Sequence, residues 1–329
     1  MKPPKFTTRF VLFSLVIAVF VVSLIWLYEE KLRPRVKLDT PTELPEFGVS
    51  YIYSTTNYSQ FLDDAKKDLK EIKDYGFSGI KITFHFKQND ATSAILAEEA
   101  AKVGIYPIGQ LVGHNSKPLD RSFNSDEMTF WLGYTRNTVK ENKDIIYFWE
   151  VWNEPDIAKF RYGTPQEYFE LLKQTYPVIK EENPNAKVIF AIGCVDKNGI
   201  NFLNKVLELG GGDYFDILGF HPYAGNPYIR EDVFKSSIKE IKEIQKNNNN
   251  KWPLWITEIG VPTSEVSEQE QANLGSMVFQ KASEENMPVI WFYYSDKQAP
   301  GNILESGWGL IREDGTKRPL FEALTEIIK

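Results

Sequence analysis

Two glutamates stand where buried strands would present them. Glu154 lies near the end of residues 145–155 (IIYFWEVWNEP), and Glu258 near the end of 253–262 (PLWITEIGVP). Both stretches are mainly apolar and aromatic before the acid, as in a strand that is covered on both faces. One glutamate in such a place is ordinarily a solvated loop charge. Two of them suit a reaction that needs two carboxyl groups across one bond. Cleavage of a glycosidic bond with retention is such a reaction: one carboxyl protonates the leaving oxygen, and the other attacks the anomeric carbon.

The elements that must position them alternate along the chain. Strand candidates fall at 47–53, 79–86, 105–113, 145–155, 187–193, 216–224, 253–262 and 288–296. Helix candidates follow each, at 61–76, 91–104, 125–143, 164–183, 201–209, 232–247, 268–286 and 318–329. In the first of these, Phe61, Leu62, Ala65, Leu69 and Ile72 fall near helical spacing and Gly76 is a stop signal. A helix in every crossover is what a parallel sheet requires. An open doubly wound sheet would carry a Gly-rich first turn for a nucleotide, and residues 47–58 have none. Eight pairs predict an α/β fold of the closed (β/α)8 type, for which ~250 residues suffice. In that barrel functional groups sit at the carboxyl ends of the strands, and strands four and seven lie across the mouth.

With these elements in place, three motifs resemble the signatures of glycoside hydrolase clan A. They are WNEP at 152–155, HPY at 221–223 and ITEIG at 256–260, and the likeness is to family 39-like and family 5-like branches. The segment Gly309-Leu310-Ile311-Arg312-Glu313-Asp314-Gly315-Thr316 leading to Pro319 shares it, so the resemblance spans Phe47 to the C-terminus. It implies that Glu154 is the acid/base and Glu258 the nucleophile. It further implies that Asn153 hydrogen-bonds the sugar 2-hydroxyl. Such chemistry needs no metal or organic cofactor, because two carboxyl groups and water suffice.

Alternation along strands adds further substrate-binding candidates. His221 and Tyr223 share a face of strand six, and the resemblance points both into the site, with Tyr223 near the nucleophile. The other reading of His221 is a satisfied core histidine. Trp291 and Tyr293 share a face of strand eight, where either is a sugar platform or core packing. One position departs from the clan, which usually has an arginine on strand two. Here that strand offers Lys81, with Thr83 and His85 on the same face. An ammonium cannot form a bidentate fork with a carboxylate. Lys81 can instead pair with Glu150, which by alternation shares a face with Trp152 and Glu154. His114, after strand three, lines the cleft or sits in a loop. Cys194, after strand five, is a small buried or loop residue.

Upstream, residues 10–28 (FVLFSLVIAVFVVSLIWLY) carry no charge. As a helix they would span roughly 28 Å, close to the hydrocarbon thickness of a bilayer. An uncleaved transmembrane anchor is expected, since a cleaved signal peptide would have a shorter apolar core and a small-x-small site. Lys2, Lys5 and Arg9 precede the span while Lys31, Arg33, Arg35 and Lys37 follow it, so charge does not set its orientation. Residues 1–9 form a short tail. Residues 29–46, with Pro34, Pro41 and Pro45, read as an extended linker without a core of its own. The catalytic domain is assigned to 47–329.

The net charge of −7 argues against a nucleic-acid partner. The single cysteine excludes an intramolecular disulfide, and His85, His114 and His221 lack the spacing of a zinc motif. Aromatic residues make up 14% of the chain, which builds either a large core or a carbohydrate cleft. The expectation is a membrane-anchored retaining glycosidase, its barrel extracytoplasmic because a polysaccharide or oligosaccharide substrate would be there. Two alternatives use the same barrel: an inactive polysaccharide-binding or assembly protein, and a transglycosylase.

Overall fold

The computed structural model describes residues 36–41, 45–51, 58–86, 91–113, 122–160, 162–224, 229–298 and 306–328. Its strands are β1 (Phe47–Ser50), β2 (Gly79–His85), β3 (Tyr106–Val112), β4 (Phe148–Val151), β5 (Lys187–Ile192), β6 (Ile217–Phe220), β7 (Leu254–Ile259) and β8 (Val289–Trp291). Each pairs in parallel with the next and β8 pairs with β1, closing the barrel in chain order. The helices are α1 (Tyr58–Asp74), α2 (Ala91–Lys102), α3 (Ser125–Asn142), α4 (Pro165–Glu182), α5 (Lys197–Glu208), α6 (Glu231–Asn247), α7 (Glu268–Glu284) and α8 (Pro319–Ile328). One follows each strand, as the alternation predicts.

The strands are shorter than the apolar segments that announce them. β4 stops at Val151, β6 at Phe220 and β8 at Trp291, and the apolar residues beyond those ends build loops at the mouth. Two loops at the mouth, those after β3 and β4, end in defined caps. Asn124 with Glu127 starts α3, and Thr164 with Glu167 starts α4, each side chain satisfying a backbone N–H of the other's turn.

Alternation decides what fills the lumen. Ile108, Phe148, Ile189, Ile217, Trp255 and Ile290 form an apolar layer, none more than 2% exposed. Two residues further along their strands come Gln110, Glu150 and Thr257, all buried, and Lys81 reaches this polar layer from β2. The barrel is therefore apolar toward its amino-terminal end and polar beneath the mouth.

Leu38 packs on the apolar layer from the amino-terminal end. Its N–H donates to the Asp144 carbonyl (3.0 Å), and its carbonyl accepts from the Tyr147 hydroxyl (3.0 Å). The expected coreless linker thus gives up its last part to the barrel, whose compact unit begins at Leu38. An apolar side chain with both backbone groups satisfied is better placed on that floor than in water. The apolar run 10–28 and His114 lie outside the described residues. Among the described residues, no helix is long and apolar enough to cross a membrane.

The aromatic content is mostly core. Trp131, Trp149, Trp152, Trp255 and Trp291 are fully buried.

Candidate active site

Both glutamates reach the mouth because strand alternation breaks beside them. After Val151, Trp152 (φ 71°) and Glu154 (φ 49°) take left-handed backbone, which costs a non-glycine residue about 1–2 kcal/mol. The turns send the two side chains apart. Trp152 joins an aromatic cluster with Phe123, Trp131 and Tyr162 beneath the helices, while Glu154 turns over the lumen. Simple alternation puts Glu150, Trp152 and Glu154 on one face; the left-handed residues take Trp152 off it. The turn is held by the Trp152 N–H on the Leu111 carbonyl (2.8 Å) and its indole N–H on the Phe160 carbonyl (2.7 Å). Gly193 supplies the floor, since a Cβ there would come within 2.7 Å of Glu154 Cβ and Cγ. Asp156 in turn fixes Gly193 and Cys194 by accepting their N–H groups (2.7 and 3.3 Å).

On β7 the break is a bulge. Ile256 pairs with Val289 and Ile259 with Trp291, so three steps on β7 face two on β8. The extra residue re-aims the strand end. Thr257 and Glu258 are neighbours, yet both face the site: Thr257 bonds His221, and Glu258 accepts from Tyr223.

A carboxylate oxygen of Glu154, one of Glu258 and a ring nitrogen of His221 lie within 4.8 Å of one another. His221 Nδ1 is 2.7 Å from Glu154 Oε1, and its Nε2 is 3.1 Å from Thr257 Oγ1. The Tyr223 hydroxyl donates to Glu258 Oε1 at 3.2 Å. Two carboxylates and an imidazole so placed have the donor set for a cation. Both ring nitrogens and Glu258 Oε1 are, however, already engaged in hydrogen bonds that serve proton transfer equally well.

Below them lies the expected ion pair. Lys81 Nζ is 2.9 Å from Glu150 Oε1, both side chains buried, and also donates to the Thr257 carbonyl (3.3 Å). The pair orients a chain of polar groups. Thr83 donates to Gln110 Oε1 (3.0 Å), and Gln110 Nε2 donates to Glu150 Oε1 (2.7 Å) and Asn153 Oδ1 (2.8 Å). Because a carboxylate only accepts, Gln110 must turn its NH2 toward Glu150. Asn153 then offers Gln110 its oxygen and keeps its own NH2 for another partner. Gln110 gives no motif signal; its trace in the sequence is one polar residue at inward parity between Ile108 and Val112.

Burial dominates the electrostatics. It pushes the Glu154 carboxyl up to about 8, with Lys81 opposing and Glu150 assisting. Glu258 is also raised by burial, against the pull of the Lys81 ammonium. Burial lowers His221, so its contact with Glu154 is a hydrogen bond of a neutral ring rather than an ion pair. Asp156 is raised by burial to about 6 despite its backbone donors. Burial and the nearby carboxylates carry the Cys194 thiol up to about 12, which leaves it unreactive.

Of the remaining candidates, His85 ends β2 half-buried on the Lys81 side. Trp291 is corrected. It is fully buried, its indole packs beside Phe279 of α7, and its N–H donates to the Trp308 carbonyl (3.0 Å). β8 ends at this residue and directs it into the helix layer, so it offers no face to a sugar. Tyr293 is buried as well. The aromatic wall near Glu258 comprises Tyr223, Phe292 and Trp308, with Phe292 half-exposed. Trp308 lies past the last strand, where alternation says nothing.

A barrel with two glutamates at the ends of β4 and β7 defines a class, and the comparisons agree with it. The glycosyl hydrolase catalytic core model matches residues 123–323, and the chain belongs to that family. Its structural neighbours come from clan A glycosidases. A family 39 glycoside hydrolase from the gut symbiont Bacteroides cellulosilyticus WH2 is 21% identical over 86% of this chain, with a TM-score of 0.71. This chain spans 63% of that protein's length. GH5_18 from Streptomyces cattleya, in complex with GlcNAc, is 16% identical over 88% of this chain and 80% of its own (TM-score 0.67). Xylanase 10B from Thermotoga petrophila RKU-1, in complex with xylobiose, is 18% identical over 86% and 93% (TM-score 0.62). At these identities the likeness is one of fold. No curated protein matches the chain.

The buried pair makes a stability prediction. Lys81→Met leaves Glu150 buried without its cation and should cost about 3–5 kcal/mol in urea unfolding. The double variant Lys81→Met/Glu150→Met should recover most of that loss. A single variant as stable as the parent would mean that the pair is not formed.

Proposed function

We propose that this glycosidase is a retaining enzyme, with Glu258 as nucleophile and Glu154 as acid/base. The observation that carries the reading is the approach of a carboxylate oxygen of Glu154 to one of Glu258, within 4.8 Å. Retaining enzymes hold their carboxyl groups ~5–5.5 Å apart, whereas inverting enzymes need ~6.5–9.5 Å to admit a water. The roles follow from environment. Glu154 holds its proton near neutrality, as an acid must. Glu258 has a hydroxyl donor and the ammonium field of Lys81 to favour its charge.

In the first step Glu258 attacks the anomeric carbon while Glu154 passes its proton to the leaving oxygen. With the His221 Nδ1–H on Glu154 Oε1 and the Thr257 hydroxyl on Nε2, the acidic proton sits on Oε2, toward the substrate. In the second step the Glu154 carboxylate takes a proton from water, which displaces the sugar from Glu258. The Asn153 NH2 is oriented to donate to the sugar 2-hydroxyl, a bond that strengthens in the transition state. The substrate in this reading is an extracytoplasmic polysaccharide or oligosaccharide, and residues 10–28 anchor the chain.

Three measurements test the proposal. Glu258→Gln should abolish turnover, and azide should restore an inverted glycosyl azide from an activated aryl glycoside. Glu154→Gln should spare activated aryl glycosides in the first step, and azide should then speed release with net retention. An inverted product from the Glu154 variant instead would reverse the two roles.

The alkaline limb of kcat/KM should report Glu154. Its raised pKa means that the active, protonated form is lost as pH rises through about 8. Stability carries the same sign: the contribution is full below the ordinary value of 4.5 and lost as pH rises toward 8. Glu154→Gln should flatten both dependences, and an alkaline limb unchanged in that variant would assign it to another group.

Membrane fractions should retain the full-length chain after a high-salt wash. A mature form that begins beyond residue 28 would contradict the anchor.

A further inference from the structure

Beyond β8 the chain makes a turn at Asp296–Gln298 and returns past the mouth at 306–311. Five backbone groups of Gly307, Trp308 and Gly309 are held by other residues. The Gly307 N–H donates to Asp296 Oδ2 (2.9 Å), and its carbonyl accepts from the Thr263 N–H (3.0 Å) and Gln271 Nε2 (2.8 Å). The Trp308 carbonyl accepts from the Trp291 indole (3.0 Å). The Gly309 N–H donates to Asp296 Oδ1 (2.8 Å), and its carbonyl accepts from Arg318 Nη1 (2.8 Å). Arg318 Nη2 closes the set on Asp296 Oδ2 at 2.7 Å.

Asp296 and Arg318 are 4% and 6% exposed. Two charges taken out of water recover that cost only with good geometry and further hydrogen bonds. Here the carboxylate takes two backbone N–H groups and the guanidinium, and the guanidinium also takes a carbonyl. The glycines are needed at both ends: Gly307 has φ +88°, and a Cβ on Gly309 would lie 2.7 Å from the Asp296 nitrogen.

The clamp presents a single large side chain, that of Trp308. Its ring meets Tyr223 edge-on (6.4 Å, 89°) and Phe292 likewise (5.5 Å, 82°). It also lies against Gly260, two residues past Glu258, where a Cβ would come within 3.0 Å of the indole. Tyr223 is the residue that donates to Glu258, through a bond of 3.2 Å that a small tilt of the ring would lengthen.

We propose that Asp296 and Arg318 are positioning residues of the active site, which set Trp308 against Tyr223 and so keep the Tyr223 hydroxyl on the Glu258 carboxylate. The inference rests on the reading of Glu258 as nucleophile. The groups that bear on the Glu258 charge are Tyr223 and His221 from β6 and its loop, Glu150 and Glu154 from β4 and its loop, and Lys81 from β2. Of these, the clamp acts on Tyr223 alone.

The test is a mutant cycle in the full chain with an activated aryl glycoside. Tyr223→Phe and Trp308→Leu should each lower kcat/KM by about 10- to 100-fold, the worth of a hydrogen bond to a charged group. Both should move the acid limb of the pH profile upward by a similar amount. The double variant should be little worse than Tyr223→Phe alone, because the two act through one bond. Asp296→Asn should shift the same limb in the same direction. Trp308→Phe, which retains a ring edge, should restore most of the activity and the limb. Additive losses, or a Trp308→Leu variant with lowered Tm and an unmoved acid limb, would overturn the proposal. Glu258→Gln separates the two ideas. If it still turns over, the nucleophile assignment fails and this inference falls with it. If it is inactive and the limb of Trp308→Leu stays put, the positioning role alone is refuted.

Discussion

The mouth of the barrel holds more negative groups than positive ones, and much of the site follows from that count. Among the described residues the buried cations are Lys81 and Arg318. Arg318 is engaged by Asp296, in the turn beyond β8. Lys81 is left to face Glu150, Glu154 and Glu258. At an effective dielectric near 20, two unit charges 4 Å apart interact by about 4 kcal/mol. One ammonium cannot hold three carboxylates against such repulsion, so a proton must supply the balance. Contact with Glu150 fixes the ammonium, and Glu154, the carboxyl pushed up to about 8, takes the proton. In the proposed mechanism, the division between an acid and an ionised partner follows from charge balance among these buried groups.

Geometry comes from two irregularities. A regular strand sends neighbouring side chains to opposite faces, so β7 could not aim Thr257 and Glu258 together without its bulge. β4 could not send Trp152 outward and Glu154 inward without left-handed backbone at both. The strain is local and the support is distributed: aromatic packing under Trp152, and the Asp156 bonds that fix Gly193 beneath Glu154. Residues remote from the reacting atoms are in this way part of what aims them.

This also explains what could be read from the chain alone. Eight apolar segments with a helix after each were visible, since burial on both faces leaves a compositional trace. The Lys81–Glu150 pairing was legible for a related reason: two charges at inward parity in apolar strands must find each other. Tyr223 and His221 were found through a motif. Trp291 failed because the sequence did not show which parity of β8 faces inward: Ile290 fills the lumen, so its neighbour Trp291 faces the helices. Leu38 was missed because a lone leucine among charged residues and prolines gives no periodic signal. Trp308 and Asp296 belong to a return loop whose hydrogen bonds join distant segments, and no local pattern records such closure.

The apolar layer and Leu38 also bear on how traffic would move. Among the described residues, packed side chains fill the amino-terminal end of the barrel, which leaves the mouth as the way in. In the proposed double displacement, the water that ends the cycle enters by the opening through which the first product departs. In that reading the rim governs timing as well as fit. A departing sugar that lingers there blocks water and stands ready to accept the glycosyl group back. The balance between hydrolysis and transfer then becomes a matter of how quickly one doorway clears.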